Sequence, residues 1–167
     1  EILVEEALSC MRSGMEILDL CTGSGCILLS ILKASPGLTG LGTDLSEQAL
    51  QVAQRNRSEL NLETKARFQK SDLFEQVEGR FDRILSNPPY IPSKVVDTLM
   101  EEVREHEPRI ALDGREDGLY YYREITAQSP AYLRPGGMLF LEIGYDQAEA
   151  VTELMERDFT EVHVVKD

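Results

Sequence analysis

Apolar runs and helical patterns alternate along the chain. Met15–Leu20 (MEILDL) has the composition of a short buried strand, and a glycine-rich stretch follows it. Cys26–Lys33 (CILLSILK) predicts a buried helix, and Thr39–Asp44 a second strand that ends on an acid. Ser46 is placed to cap a helix running to about Leu60, because a serine hydroxyl there accepts from a free N–H of the first turn. Ala66–Lys70 and Phe81–Ser86 read as strands three and four. The stretch from Asn87 to Gly118 is long and charged, with a helix expected near Val96–Arg104. Loops of that length in a compact domain are usually functional. Leu119–Leu133 then reads as helix, Pro135-Gly136-Gly137 as a turn and Met138–Ile143 as strand five. Asp146–Arg157 predicts a last helix, and Val162–Val165 the beginning of a sixth strand.

Strands alternating with helices imply parallel βαβ units. The expected fold class is therefore α/β, a doubly wound, mostly parallel sheet of the Rossmann-like kind, in one domain over residues 1–167. Ligands of such sheets lie beyond the carboxyl ends of the strands, where the strand order reverses. The opening EILVEEALSCM has the spacing of an amphipathic helix already under way, so the chain reads as a fragment with residues missing upstream.

Composition narrows the function classes. The net charge is −13, from 30 acids against 17 bases. That argues against a broad phosphate-binding surface, so no direct nucleic-acid binding is expected, although a basic protein partner remains compatible. Cys10, Cys21 and Cys26 form no CxxC pair and have no histidine cluster beside them, so neither a metal site nor a disulfide framework is expected. Buried free thiols in a reducing cytosol are the expectation, which places the protein in the cytoplasm. No apolar run approaches the roughly 18 residues that span a bilayer, and no membrane association is expected. The acidic start does not resemble a secretory signal.

The strand ends carry the chemistry. After strand one comes Asp19-Leu-Cys-Thr-Gly23-Ser-Gly25, where glycines permit a tight turn and close approach of a ligand to the next helix. A dinucleotide site would want a third glycine in G-x-G-x-x-G, and that position is Leu28. Asp44, 19 residues after Gly25, can accept both hydroxyls of a ribose, or else be a turn residue ahead of Ser46. Asp72 in Ser71-Asp72-Leu73-Phe74 can accept from an adenine amino group while Leu73 or Phe74 packs on the ring; the alternative is a helix cap. Together the three acids suit an adenosine with a cationic amino-acid tail, and they offer nothing basic to a pyrophosphate.

Asn87-Pro88-Pro89-Tyr90 follows strand four. Proline lacks an N–H and holds the residue before it extended, so the segment presents carbonyl acceptors without competing donors. A planar –NH2 group fits, with one hydrogen on the Asn87 side-chain oxygen, the other on the Pro88 carbonyl, and the Tyr90 ring stacked on the flat group. Holding both hydrogens aims the nitrogen lone pair, which is catalysis by positioning and requires no base before attack. As a purely structural element, the segment would be a rigid surface turn.

Asn-Pro-Pro-Tyr after strand four with DLCTGSG after strand one resembles the amino-methyltransferases that use S-adenosylmethionine. The later stretch Glu107-Pro108-Arg-Ile-Ala-Leu-Asp-Gly-Arg-Glu-Asp117-Gly118-Leu119, and then LRPGGMLFLEIGYDQAEAV, resembles the peptide-chain release factor glutamine methyltransferases (the HemK-type family) over nearly the whole chain. The resemblance implies N5-methylation of the glutamine in the Gly-Gly-Gln loop of class-I release factors, with S-adenosylhomocysteine as the other product. It implies that Asn87, Pro88, Pro89 and Tyr90 hold that glutamine. It further implies that Asp19, Cys21, Thr22, Gly23, Ser24, Gly25, Asp44, Leu45, Asp72, Leu73 and Asn87 surround the cofactor. Cys21 stands where such enzymes commonly have their first glycine. The family's N-terminal helical domain and its last C-terminal strand are not expected within this chain. An adenine-N6 nucleic-acid methyltransferase, or a ribosomal-protein glutamine methyltransferase, is the alternative that shares the Asn-Pro-Pro-Tyr requirement. His106 reads as a solvated loop histidine, Glu107-Pro108 as a wall of the substrate channel, and Tyr120-Tyr121-Tyr122 as packing.

Overall fold

The computed structural model describes residues 1–98 and 109–166. Contacts gather the chain into two compact units, Glu1–Asn87 with Ala131–Leu141, and Pro88–Pro130 with Glu142–Asp167.

The first unit holds the sheet. Its elements are α1 (Ile2–Ser9), β1 (Glu16–Leu20), α2 (Cys26–Ala34), β2 (Thr39–Asp44), α3 (Glu47–Glu59), β3 (Ala66–Lys70), β4 (Phe81–Ser86) and β5 (Leu133–Leu141). The strands are all parallel in the order β3-β2-β1-β4-β5, so the expected doubly wound α/β sheet is present. The order reverses between β1 and β4, whose last residues, Leu20 and Ser86, are register partners. Parallel strands are covered on both faces and so read as apolar runs. Ile17, Leu18, Leu20, Ile84 and Leu85 are buried accordingly, with Leu28, Ile31 and Leu32 of α2 closing one side. Each such side chain contributes about 2 kcal/mol by leaving water. Glycines in β2 let its neighbours come close. A β-carbon on Gly42 would lie 2.6 Å from the Phe68 ring and 2.8 Å from the Thr22 hydroxyl.

Three expectations need correction. Strand five begins at Leu133 rather than after the Pro-Gly-Gly triplet. Phe81 pairs with Leu133 and Arg83 with Met138, so the triplet is a bulge inside the ladder, with Gly136 at φ 76°. Residues 162–165 form no strand; among the described residues nothing pairs with them, and Val164 and Val165 face solvent. Cys26 is exposed at the start of α2, and Cys10 and Cys21 are only half-buried.

The second unit contains α4 (Ser93–Val96), α5 (Arg109–Leu112), most of α6 (Tyr120–Tyr132) and α7 (Ala148–Met155). α4 ends at Val96 and residues 97–98 form a turn, in place of the helix expected over 96–104; residues 99–104 lie outside the described residues, as do His106, Glu107 and Pro108. A parallel bridge joins Ile91 to Asp113. Tyr121 and Tyr122 are buried as packing residues, and Tyr120 is exposed. Among the described residues no helix is long and apolar enough to cross a membrane.

Candidate functional site

In the first unit the chain leaves β1 through a turn that only unusual backbone allows. Cys21, Gly23 and Gly25 have φ of 55°, 56° and 78°. The two glycines adopt this region freely, whereas the β-carbon of Cys21 is crowded there at a cost of about 1–2 kcal/mol. Hydrogen bonds hold the turn in place. Thr22 N–H donates to the Thr43 carbonyl at the end of β2 (2.9 Å), and Gly25 N–H to the Thr22 carbonyl (2.8 Å). Asn56 of α3 donates its amide to the Ser24 carbonyl at 3.0 Å. A β-carbon on Gly23 would meet nothing within 4 Å, so the turn opens onto free space there.

Asp44 at the end of β2 is tied to the same turn. One oxygen accepts from Gly23 N–H and the other from Ser46 N–H, each at 2.8 Å. Every carboxylate oxygen has two lone pairs, so both keep one for a ligand. Ser46 does cap α3, its hydroxyl accepting from Ala49 N–H at 3.2 Å. Leu45 beside it is exposed.

Asp19 is fully buried at the penultimate position of β1. Its Oδ2 accepts from the Thr22 hydroxyl at 2.5 Å, and its Oδ1 has no hydrogen-bond partner among the described residues. Burial pushes its carboxyl up to about 7, against the opposing pull of the Thr22 hydroxyl and the nearby Leu28 N–H, and the Asp44 charge adds to the rise. The Leu28 amide lies close without making a bond of good geometry. An orphaned buried carboxylate oxygen is costly, and it marks a place where a donor or cation belongs.

Cys21 reports how the acids are grouped. Burial pushes its thiol up to about 12, Asp44 is the largest of the charges that add to the rise, Asp19 and Asp72 contribute less, and Ser86 opposes. Asp19, Asp44 and Asp72 thus all lie within electrostatic reach of Cys21. Asp72 is exposed after β3, next to Leu73 at φ 44°. Phe74 does not share that surface: it is buried and stacks on Tyr132 with centroids 4.5 Å apart, which leaves Leu73 as the apolar neighbour. Asn87 follows β4, the strand beside β1; its side chain is exposed and makes no hydrogen bond among the described residues.

In the second unit Pro88 and Pro89 are buried and Tyr90 is half-buried. The bridge next to them is formed by Ile91 N–H to the Leu112 carbonyl (3.0 Å) and Gly114 N–H to the Ile91 carbonyl (2.8 Å). Gly114 and Gly118 press on the Tyr90 backbone: a β-carbon on Gly114 would lie 2.8 Å from Tyr90 Cα, and one on Gly118 would overlap the Tyr90 carbonyl. Asp113 and Asp117 order the loop carrying those glycines. Asp113 accepts from the Ser93 hydroxyl and the Arg115 N–H, while Asp117 binds Leu119 N–H and the Arg123 guanidinium. The Arg123 pairing holds the Asp117 carboxyl down at about 2.

The sequence reading missed three contributors: Asn56, Ser86, whose hydroxyl donates to the Leu20 carbonyl at 2.8 Å, and Gln147, whose amide reaches the Tyr90 carbonyl at 3.0 Å. Gln147 lies just past the fifth strand, and inspecting that strand end like the other four would have raised it.

The Methyltransferase small domain model matches residues 1–115. The chain is 47% identical over 171 aligned positions to a release factor glutamine methyltransferase of Caulobacter vibrioides, covering all of this chain and 59% of that protein. It is 49% identical over 157 positions to the enzyme of the same name in Rhodospirillum rubrum, covering 93% of this chain and 48% of that one. The chain thus spans about half to three-fifths of the length of these curated relatives. A solved methyltransferase from Pyrococcus furiosus matches 93% of this chain and 68% of its own with a TM-score of 0.68 at 20% identity, a likeness of fold. On the family match over residues 1–115, the chain belongs to the Methyltransferase small domain family.

Proposed function

We propose that the protein transfers the methyl group of S-adenosylmethionine to the side-chain amide nitrogen (N5) of the glutamine in the Gly-Gly-Gln motif of class-I release factors. The observation that carries this reading is Asn87. It is exposed just after β4, its side chain makes no hydrogen bond among the described residues, and two residues without an N–H follow it. The names of the 47% and 49% identical relatives support the same substrate. A translation substrate goes with a cytoplasmic location.

The first unit's residues fit that cofactor. S-adenosylmethionine supplies an electrophilic methyl on a sulfonium, together with an ammonium, ribose hydroxyls and an adenine amino group. Asp44 offers two oxygens with spare lone pairs for the ribose, Asp72 an exposed acceptor for the adenine amino group, and Leu73 an apolar face for the ring. The unpartnered Oδ1 of Asp19 is a spare acceptor, and a cationic tail near it would favour the ionised form of a carboxyl that burial pushes up to about 7. Segments 19–26, 44–46 and 71–74 contain no lysine or arginine, so a diphosphate would find three acids and no cation.

Asn87 Oδ1 and the Pro88 carbonyl each accept one hydrogen of the acceptor amide, and Tyr90 packs on its plane. Fixing both hydrogens sets the direction of the nitrogen lone pair, a contribution of orientation and electrostatics with no proton transfer before attack. Asn87→Ala lowers turnover about 100-fold or more and leaves the affinity for S-adenosylhomocysteine nearly unchanged, by calorimetry. A parallel collapse of that affinity would mean that Asn87 chiefly binds cofactor.

Transfer of a labelled methyl group tests the whole reading. Purified release factor, the same factor with its Gly-Gly-Gln glutamine changed to glutamate, and unmethylated duplex DNA are compared, and mass spectrometry places the label. Label on the glutamine alone is expected. Label on DNA, or on the glutamate variant, overturns the assignment.

A further inference from the structure

We infer that Gln147 is a positioning residue for the acceptor amide: its buried side chain fixes Tyr90 from two sides, the backbone carbonyl directly and the ring through Gly144. This inference rests on the proposed role of Asn87 through Tyr90.

The bonding of Gln147 leaves little freedom for a different residue. It is 8% exposed and caps the N-terminal end of α7, where Val151 N–H donates to its backbone carbonyl at 3.0 Å. Its Oε1 accepts from Gly144 N–H at 3.0 Å. Its Nε2 donates to the Tyr90 carbonyl at 3.0 Å and to the Gly118 carbonyl at 3.3 Å. A primary amide has one acceptor oxygen and two donor hydrogens, and here all are engaged, each with backbone of a different segment. Glutamate has the same shape but would set carboxylate oxygens against two carbonyl oxygens, so the identity of the amide matters as well as its size.

Tyr90 is where such a support is needed. Pro88 and Pro89 have no N–H, so the segment cannot be pinned there by backbone donors, and the ladder with 112–114 begins only at Ile91. Gln147 supplies a donor to the carbonyl immediately before that ladder. Gly144, held by the same side chain, lies against the aromatic ring: a β-carbon there would sit 3.3 Å from Tyr90 Cδ2 and 2.8 Å from Gln147 Oε1. The second unit therefore sets both the height of the Tyr90 backbone and the seat of its ring through one amide. A misplacement of about 1 Å at an acceptor site costs on the order of 100-fold in rate.

The test uses Gln147→Glu, with Gly118→Ala as a second variant that displaces the same contact from the opposite side. Both are measured in the methyl-transfer assay and by hydrogen exchange of the Ile91 and Gly144 amides. Faster exchange at both amides is expected, with kcat/KM for the release factor down by about tenfold or more and S-adenosylhomocysteine affinity within about twofold of the parent. On a Tyr90→Ala background, which keeps the carbonyl but removes the ring beside Gly144, the loss from Gln147→Glu should be smaller than on the parent. Fully additive losses, or unchanged kcat/KM despite faster exchange, would reduce Gln147 to a fold-holding residue and overturn the inference. A parent protein that fails to label the release factor would instead refute the proposed substrate, and the exchange arm would still report whether the amide holds the segment.

Discussion

Two residues of the β1 turn behave in ways that single substitutions can expose. Cys21 holds φ 55° with a side chain that disfavours it. Cys21→Gly removes the crowding and gives back part of the gain as unfolded-chain entropy, so its unfolding free energy should stay within about 1 kcal/mol of the parent. Cys21→Val places a β-branched side chain at the same φ and should lose about 2 kcal/mol or more in chemical denaturation. Equal stability of the two variants would show that the turn relaxes freely. Asp19 makes a pH-dependent contribution whose sign is fixed by its carboxyl lying at about 7 in the native state, against 3.8 for the ordinary group. Below 3.8 native and unfolded chains both hold the proton. Between 3.8 and about 7 the native chain keeps a proton that the unfolded chain has released, so stability falls as pH rises through that window and levels off above it. The contribution is on the order of a few kcal/mol. Asp19→Asn carries no such titration, so its melting temperature should gain on the parent's as pH rises from about 5 to about 7. Parallel melting curves for the two proteins would mean that Asp19 is ionised throughout.

At the scale of elements, β2 shows how a strand serves the site as well as the sheet. A β-carbon at Gly40 meets the end of the Leu28 side chain at 2.5 Å, whereas one at Gly42 meets the Phe68 ring and the Thr22 hydroxyl that Asp19 uses. Gly40→Ala and Gly42→Ala should each cost about 1–3 kcal/mol by overpacking. Only Gly42→Ala should also weaken S-adenosylhomocysteine binding, measured by calorimetry; equal affinities would detach Thr22 from the site. The strands themselves were legible because parallel strands bury both faces: Thr39–Asp44, Ala66–Lys70 and Phe81–Ser86 match their expected bounds. Asp44 at the end of β2 and Asp72 after β3 stand out in the sequence because α/β sheets bind ligands at strand ends, and their cofactor role is a proposal. Pro-Gly-Gly misled because the signals for a turn and for a bulge coincide, and only the register of β5 against Phe81 and Arg83 separates them. Val162–Val165 has strand composition, but composition supplies no neighbour to pair with. Gln147 was within reach of the strand-end rule as a position past β5, but its partner was not: the bond to Tyr90 joins positions 57 residues apart, and no local pattern announces that contact.

At the scale of the whole molecule, the net charge of −13 acts on every ligand before any specific contact forms. Asp44 and Asp72 repeat that sign where the cofactor is proposed to bind, so the long-range field and the local one both favour a cation. A duplex meets the opposite situation. Non-specific DNA affinity comes from counterions released as basic side chains neutralise phosphates, and it sets in near 10⁻⁴–10⁻⁶ M at physiological salt. With 30 acids against 17 bases, the chain should show no saturable binding of unmethylated duplex in fluorescence anisotropy up to about 10 μM protein, and lowering the salt should not create it. The same titration with the release factor should saturate, because the proposed protein acceptor would be held by contacts around Asn87–Tyr90 that need no row of phosphates. Sub-micromolar duplex binding that weakens steeply with salt would reveal a basic surface that the overall charge conceals. The planar –NH2 group proposed for Asn87 and Pro88 would then be sought on a base rather than on a glutamine.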